Sequence, residues 1–223
     1  MARTAAAART NLTEGDPQNV LDWFRANTRL LVIGSVVVVA AALGFWFYTK
    51  SRQIRIENAE GGLLRAQQSL AQNNIPLAQS DLQTIVSRYP GTPAGEQAGL
   101  LLARIHYDQG QYQEGIDVLQ RVMKARGSAG ARAAFLALIG DGNLEIGLSQ
   151  DAAEFYQAAA EETRFDADRD AYRSQAARAF VAANDTASAL AIWRELAADQ
   201  ESAVAAEARV RLGELTTEPA RGS

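Results

Sequence analysis

His106 is the only histidine of the chain, and it lies in the segment Arg104–Gly115 among two tyrosines, two glycines and two carboxylates. A histidine in such surroundings could serve as a general base or a metal ligand, but either role needs partner side chains. The chain has no second histidine and no cysteine, which also excludes thiolate nucleophiles and cysteine metal sites. We therefore predict no catalytic, cofactor-binding or metal-binding residue, and we interpret His106 as a structural or contact residue.

Two other segments carry residue types that bind ligands in some proteins. Residues 140–147, GDGNLEIG, have spaced glycines and acids, but they lack the Lys-Ser/Thr ending of a phosphate loop and the alternating acids of a calcium loop. We interpret Gly140 as a position where two helices pack closely. Residues 161–170, EETRFDADRD, form the densest charge cluster and predict a solvated loop between helices, with a docking patch for a basic partner as the alternative. The chain is expected not to be an enzyme.

Composition favours a helical protein that does not bind nucleic acid. The 223 residues include 22 basic and 26 acidic side chains, a net charge of −4, whereas nucleic-acid binding needs a basic face that neutralises phosphates. Alanine is abundant and β-branched residues are sparse outside one segment, so the chain is predicted to be mainly helical.

One segment, residues 30–49, is predicted to cross a membrane once. Leu30–Tyr48 are 19 consecutive residues without a charge, and a helix of that length, at about 1.5 Å per residue, spans the roughly 30 Å of a bilayer's hydrocarbon core. Aromatic residues flank the segment where interfacial belts form: Trp23, Phe24, Trp46 and Tyr48. A cleaved signal peptide is the alternative, with Ala40 and Ala42 at the cleavage site, but apolar residues follow that site.

The residues around this span refine the prediction. Residues 16–29 are predicted to form an amphipathic helix at the membrane surface or against a partner's transmembrane helices, since Asp16 can cap it and Pro17 suits its first position. Ala40 and Gly44 are small residues four apart, a spacing that permits close helix approach. Basic residues lie on both sides of the span in similar numbers, so charge alone does not orient it.

A repeat of 37 residues begins near residue 54. Its turn column holds residue types that tolerate the left-handed conformation: Asn73, Gly110, Gly147 and Asn184. Small residues stand seven before the turn and five after it: Ala66, Ala103, Gly140, Ala177, and Ala78, Gly115, Ala152, Ala189. Large residues stand nine after the turn, and apolar ones twelve after it: Leu82, Leu119, Tyr156, Trp193, and Ile85, Val122, Ala159, Leu196.

These columns have a physical cause. Two antiparallel helices pack closely only where small residues face each other, and large residues fill the space farther along. Each unit is therefore predicted to be a helix, a tight turn and a second helix, and units stack because one hairpin cannot bury its own apolar face. We predict an all-α chain with one transmembrane helix, then an α-solenoid of about four helix hairpins, then a capping helix near residues 208–213.

The predicted boundaries follow from these features. They are an N-terminal tail 1–15, an interfacial helix 16–29, a transmembrane helix 30–49, a repeat domain 50–215 and a C-terminal tail 216–223.

The repeat positions resemble the tetratricopeptide pattern. Residues 101–122, LLARIHYDQGQYQEGIDVLQRV, match it best, with these residues in the expected places: Leu102, Ala103, Gly110, Tyr112, Gly115 and Leu119. The first unit closes with Pro90, as that family often does, but the other units do not, and the spacing exceeds the usual value of about 34 residues. The order of parts is similar to a bacterial family that includes an ancillary subunit and chaperone of the secretory translocon. This resemblance implies an inner-membrane protein with a cytoplasmic N-terminus and a periplasmic body.

The expected function is protein–protein interaction, as an accessory, scaffold or assembly subunit of a large integral membrane complex. The host is left open among the translocon, a respiratory complex and a photosynthetic reaction centre with its antenna. The alternative is a periplasmic chaperone of the translocon that holds secreted polypeptides. The expected partners are thus a membrane protein complex, the lipid bilayer and, for the chaperone, secreted chains. The expected contact residues are Trp23, Phe24, Ala40, Gly44, Trp46 and Tyr48 near the membrane, and Arg65, Ser69, Leu102, His106, Tyr107 and Asn143 on first helices of the hairpins.

Overall fold

The computed structural model describes residues 28–125 and 129–217, and every regular element in those ranges is an α-helix. The helices α1 to α9 are, in chain order, Thr28–Ala71, Ile75–Arg88, Pro93–Asp108, Tyr112–Lys124, Ala129–Glu145, Ser149–Glu162, Asp166–Ala182, Thr186–Ala198 and Ala205–Thr217. The predicted N-terminal tail, Trp23, Phe24 and most of both the predicted interfacial helix and the predicted C-terminal tail lie outside the described residues. The all-α prediction is confirmed for the part of the chain that is described.

Contacts divide the chain into two units, Met1–Gln53 and Ile54–Ser223. In the first unit the described residues belong to α1, and the large apolar side chains between Val32 and Tyr48 are exposed. Among the described helices, α1 alone is long and apolar enough to cross a membrane, and its most apolar stretch has a mean hydropathy of 2.0. The predicted long apolar helix near the N-terminus is therefore present.

In the second unit, four tight turns stand at the positions of the predicted turn column. Their φ angles are all positive: 57° at Asn73, 73° at Gly110, 83° at Gly147 and 61° at Asn184. In each case the next residue's N–H donates to the carbonyl five residues earlier, over 2.8 or 2.9 Å, the acceptors being Ser69, His106, Asn143 and Phe180. This bond closes the first helix of a hairpin with a Schellman motif. The 37-residue period is thus confirmed in the backbone.

The hairpins are α1–α2, α3–α4, α5–α6 and α7–α8, and α9 follows them. All sixteen residues of the small and large columns are buried. From α2 to α9, each helix packs chiefly against its neighbours in sequence, while α1 joins α2 through a buried cluster that includes Ala59, Leu63 and Ile85. The solenoid of four hairpins with a final capping helix therefore matches the prediction.

The core of the repeat domain consists of two apolar clusters that meet at α5. The first cluster extends from α1 to Phe135 and Ile139, and the second extends from Leu136 to Ala208 on α9. Met123 and Phe155 are half-buried and pack against both clusters. Burial is therefore continuous along the stack, which is what stabilises repeats that cannot fold singly.

Helix starts differ in how their backbone N–H groups are satisfied. Asn74, Thr92 and Asp185 accept a hydrogen bond from a backbone N–H three residues on, as N-cap residues do. By contrast, α6 starts after Leu148 and α7 after Phe165, and neither side chain can cap. Side-chain capping thus contributes to some helix starts and not to those of α6 and α7.

Candidate protein-interaction surface

His106 supports the turn that follows its own helix. Its Nδ1 lies 2.7 Å from Oε1 of Gln111, and the Gln111 backbone N–H donates to the His106 carbonyl over 2.8 Å. Gln111 is the residue just before α4, directly after the Gly110 turn. Within the described ranges, no three side chains of the types that ligate metals converge. His106 is half-buried, and its side chain contributes to the packing of the turn.

Several other residues expected to contact a partner lie inside the repeat domain. Leu102 is 0% exposed, Asn143 is 6% exposed and Ser69 is 7% exposed. Asn143 donates to the Ile139 carbonyl within its own helix over 2.9 Å. Leu102 belongs to the first apolar cluster, and Ser69 and Asn143 each stand four residues before the turn of their hairpin. Of the repeat residues expected as contacts, Arg65 is exposed and His106 half-buried.

The contact candidates in the first unit that are described all lie on the surface of α1. Ala40, Gly44, Trp46 and Tyr48 are exposed, and a Cβ added to Gly44 would meet nothing within 4 Å. The small pair Ala40 and Gly44 is thus open to close approach by another helix. These four residues remain candidates.

A row of polar side chains on the first helices was not predicted from the sequence. The residue after the first small column is polar in every unit: Gln67, Arg104, Asp141 and Arg178. Three members are exposed and Asp141 is half-buried. Arg178 pairs with Glu207 of α9, whereas Arg104 has no salt bridge among the described residues. We call these four residues the first-helix row, and their common polarity at the 37-residue spacing could have revealed them.

Tyr107 joins the second hairpin to the third. Its hydroxyl donates to the Leu138 carbonyl of α5 over 2.9 Å, and the residue is 9% exposed. A Cβ added to Gly115 would overlap the Tyr107 ring, and one added to Gly142 would overlap its hydroxyl. Gly115 therefore stands where the other units have alanine because the tyrosine occupies that space. Tyr107 is therefore a packing residue that links two hairpins.

Asp141 and Tyr156 make a second polar contact at the same place. The Tyr156 hydroxyl donates to Asp141 Oδ1 over 2.5 Å, and a Cβ on Gly140 would lie 2.9 Å from the tyrosine ring. Burial raises the pKa of Asp141, while the hydrogen bond from Tyr156 and the positive charge of Arg104 oppose that rise. Burial, then the bond to Asp141, raise the pKa of Tyr156. The GDGN segment is thus a packing site, as interpreted for Gly140.

A cavity of about 310 Å³ opens at the three-residue link between α6 and α7. We call it the Phe165 cavity, and its lining residues are Ala133, Ala134, Glu162, Thr163, Arg164, Phe165, Asp168 and Tyr172. Phe165 is 56% exposed, and the Arg164 guanidinium carbon lies 5.0 Å from its ring centroid. Burial, and then the charge of Asp168, raise the pKa of Tyr172. The loop predicted within the charged segment 161–170 is therefore present, but it consists only of residues 163–165.

Comparison with protein families fits this architecture. Residues 22–138 and, in an overlapping match, residues 60–175 match the family model of the Tetratricopeptide repeat-like domain. The chain belongs to the Tetratricopeptide repeat-like domain family. The matched range 22–138 includes the apolar part of α1 together with the first two hairpins. A tetratricopeptide repeat-like body of this kind is typically a scaffold that binds other proteins rather than a catalyst.

Solved structures with this fold include a tetratricopeptide-like protein from Podosopora anserina that is designated a kinesin light chain with nearly identical repeats. Its crystal structure has a TM-score of 0.56 and 17% sequence identity, and covers 71% of this chain and 85% of that one. A variant of the same protein gives a TM-score of 0.55 with 17% identity, covering 71% and 84%. At this identity the likeness concerns the tetratricopeptide-like fold alone. No curated protein matches the chain.

Proposed function

We propose that the chain is a single-pass membrane protein without enzymatic activity that acts as an accessory, scaffold or assembly subunit of a large integral membrane complex. The repeat domain supplies the protein-binding surface, since stacked helical repeats present an extended face to partners. The helix α1 supplies the attachment to the membrane. The host complex is of the secretory, respiratory or photosynthetic class, and a physical test must identify it.

The observation that supports a membrane anchor is the exposure of the apolar side chains of α1. Eleven large apolar side chains between Val32 and Tyr48 are each 56% exposed or more. Leaving such a side chain fully in water costs about 1.5–3 kcal/mol. Since the eleven side chains are 56–71% exposed, together they would cost on the order of 15 kcal/mol, as much as the whole stability of a typical domain. A lipid bilayer, or a partner's transmembrane helices within it, removes that cost.

We place the repeat domain in the periplasm of a bacterium, with the N-terminus in the cytoplasm. The support is the order of parts, an apolar anchor followed by tetratricopeptide-like hairpins, and its likeness to the family of the ancillary translocon subunit. The test is a pair of reporter fusions after Ser223, one active only in the cytoplasm and one only outside it. Activity of the cytoplasmic reporter alone would refute the periplasmic placement without affecting the anchor.

The first-helix row is the part of the repeat domain that we assign to partner contact. Gln67, Arg104 and Arg178 are exposed on the first helices of the first, second and fourth hairpins, so an extended partner that runs along the stack can reach all of them. Side chains of both charge signs in this row favour a partner with complementary charges. The anchor keeps the domain near membrane partners and raises their effective concentration, so individually weak contacts suffice.

The test compares two charge reversals, Arg104→Glu and Arg194→Glu. Both arginines are exposed in the middle of a helix and have no salt bridge within the described ranges, but only Arg104 belongs to the first-helix row. Affinity purification in mild detergent followed by mass spectrometry measures the complex that each variant recovers. We expect Arg104→Glu to lower recovery several-fold and Arg194→Glu to leave it unchanged. Equal recovery of the complex by the two variants would show that the first-helix row is not part of the interface. Recovery of a varying set of secreted chains would instead support the alternative function, a periplasmic chaperone.

A further inference from the structure

The indole of Trp193 is buried and has a hydrogen-bond donor that the fold does not satisfy. Trp193 is 0% exposed, and its Nε1–H has no acceptor among the described residues. Its counterpart one repeat earlier, Tyr156, donates to Asp141. The counterpart of Asp141 in the fourth hairpin is Arg178, whose guanidinium can only donate. A buried donor without an acceptor costs free energy, so an acceptor supplied from outside would stabilise this site.

A cavity of about 320 Å³ lies beside this indole, on residues of α7, α8 and α9. We call it the Trp193 cavity, and its lining residues are Arg178, Val181, Trp193, Arg211, Glu214 and Leu215. Three of them give it an apolar wall: Val181, Trp193 and Leu215. Val181 is 40% exposed, so the wall reaches the protein surface. This volume is at the small end of ligand sites and suits one residue of a peptide better than a cofactor.

The charged residues of the cavity compensate one another. Arg178 pairs with Glu207 of α9, and Arg211 pairs with both Glu207 and Glu214. Two arginines thus face two glutamates, and the cavity selects neither a cation nor an anion. The group left unsatisfied is the indole N–H of Trp193. It selects a neutral hydrogen-bond acceptor, and the apolar wall selects an apolar group beside that acceptor.

The surface that leads to the cavity is continuous with the first-helix row. Arg178 is a member of that row and lines the cavity. Val181 follows it by three residues, about one helical turn, and so lies on the same side of α7. Leu144, the counterpart of Val181 in the third hairpin, is 36% exposed. A partner segment that runs along the row therefore meets exposed apolar side chains on its way to the cavity.

We propose that the Trp193 cavity binds one uncharged apolar residue of the partner protein, whose main-chain carbonyl accepts a hydrogen bond from the Trp193 Nε1–H. The apolar side chain of that residue packs against Val181 and Leu215. A main-chain carbonyl suits this role because every residue of an extended segment offers one next to its side chain. This rests on the proposed function, for which it supplies the chemistry of one partner contact.

The experiment uses the full-length protein in detergent micelles and four probes, the N-acetyl amides of leucine, glycine, lysine and glutamate. The probes share their main-chain carbonyls and differ only in the side chain. Proton–nitrogen correlation NMR follows the indole N–H signals of the three tryptophans, and Trp193→Phe identifies the signal of Trp193. Saturation-transfer difference NMR measures the affinity of each probe for the protein and its variants.

Two variants have matched controls one repeat earlier. Trp193→Phe removes the indole donor, and Tyr156→Phe removes a polar hydrogen from the same column of the third hairpin. Val181→Phe places a ring in the cavity, and Leu144→Phe places one at the corresponding position outside it. Neither Tyr156 nor Leu144 lines the Trp193 cavity. Circular dichroism melting of each variant verifies that it folds.

We expect the leucine amide to bind with millimolar affinity and to move the Trp193 indole proton downfield, as a hydrogen bond does. The glycine amide lacks the apolar side chain, and the lysine and glutamate amides would bury a charge, so each should bind at least about five-fold more weakly. Trp193→Phe should weaken binding of the leucine amide about two- to ten-fold, and Val181→Phe at least about five-fold. The two controls should leave it unchanged.

Several results would overturn the proposal. One is a Trp193 indole signal that the leucine amide does not move, and another is a lysine or glutamate amide that binds as tightly as the leucine amide. Equal affinities of Val181→Phe and Leu144→Phe for the leucine amide would also overturn it. A Trp193 signal that moves with protein concentration in the absence of any probe would overturn it in favour of a second copy of the chain.

Recovery of the membrane complex identifies the source of the bound residue. Val181→Phe should lower recovery, and Leu144→Phe, which keeps an apolar side chain outside the cavity, should lower it less. If Val181→Phe abolishes binding of the leucine amide but leaves recovery unchanged, the partner is not the source, and a free small ligand replaces it.

These outcomes are distinguishable from failure of the proposed function. If the leucine amide does not move the indole signal while Arg104→Glu still lowers recovery of the membrane complex, only the cavity proposal fails. If the leucine amide binds as expected but no membrane complex is recovered, the proposed function fails and the site for an apolar residue stands.

Discussion

The hydroxyl of Tyr156 donates to Asp141 Oδ1 over 2.5 Å, which ties a buried residue of α6 to a half-buried residue of the first-helix row. Asp141 also experiences the positive charge of Arg104, the preceding member of that row. The ring of Tyr156 in turn requires the absence of a side chain at Gly140. Packing inside the third hairpin therefore fixes the position of a charge on its surface.

Replacing Asp141 with asparagine is expected to raise stability at neutral pH. Burial raises the folded-state pKa of Asp141 above the ordinary value of 3.8, so the stabilisation from its protonated form is present below that value and is lost as pH rises through the raised pKa. Asparagine avoids this loss, and its Oδ1 still accepts the Tyr156 hydroxyl. Thermal melts followed by circular dichroism should show a higher Tm for Asp141→Asn at neutral pH.

The same melts at low pH provide the internal check. Below pH 3.8 both proteins are neutral at this position, so the difference in Tm should shrink towards zero. Asp151→Asn, at an exposed position, should show no such gain at neutral pH. A lower Tm for Asp141→Asn at neutral pH would mean that the hydrogen bond to the ionised carboxylate outweighs its burial.

Replacing a glycine beside Tyr107 with alanine should destabilise the protein, whereas the same replacement at a glycine in open space should stabilise it. A Cβ on Gly142 would overlap the Tyr107 hydroxyl, so Gly142→Ala should lower the free energy of unfolding by about 1–3 kcal/mol. Gly61 also lies in a helix, but a Cβ there would meet only Arg65, at 3.9 Å, so Gly61→Ala should raise it by about 0.5–1 kcal/mol. Urea unfolding measures both changes in the free energy of unfolding. Changes of the same sign would contradict the proposed close packing of Tyr107 against Gly142.

The hairpins could be predicted from the sequence because their columns are composed of residue types with one structural use. Asn73, Gly110, Gly147 and Asn184 all adopt positive φ, and small residues mark every close approach of two helices. The packing of Tyr107 against Gly142 could not be predicted, since it joins residues of different hairpins and does not recur at the repeat spacing. Contacts that do not repeat leave no period in the sequence.

Turn residues should be replaceable by glycine but not by alanine. At Gly147, where φ is +83°, alanine should cost about 1–2 kcal/mol, because a Cβ crowds the following carbonyl in the left-handed region. At Asn184, where φ is +61°, glycine should change stability by less than about 1 kcal/mol. Chemical denaturation of Gly147→Ala and Asn184→Gly decides this, and a tolerated alanine at Gly147 would show that the turn adopts another conformation.

His106 and Gln111 are expected to act as one unit. Their side chains lie 2.7 Å apart, so His106→Ala and Gln111→Ala should each lower stability by about 0.5–1.5 kcal/mol. The double variant should lose less than the two single losses together, because both remove the same contact. Additive losses would indicate that the two side chains stabilise the protein independently.

The contact surface was harder to predict than the fold. Leu102 and Asn143 were expected to face a partner because both lie on first helices, but both are buried. Which face of a first helix stays exposed depends on the angle at which neighbouring hairpins stack, and the 37-residue period alone does not give that angle. The polar column that contains Arg104 and Arg178 is a better guide to exposure, since three of its four members are exposed.

The proposed function makes this chain a fixed subunit of a membrane complex. Native mass spectrometry of the tagged full-length protein, extracted from membranes in mild detergent and washed with salt, tests it most directly. We predict that the chain is recovered with one integral membrane assembly at a constant stoichiometry. Recovery of the chain as a monomer with no fixed partner would contradict the claim.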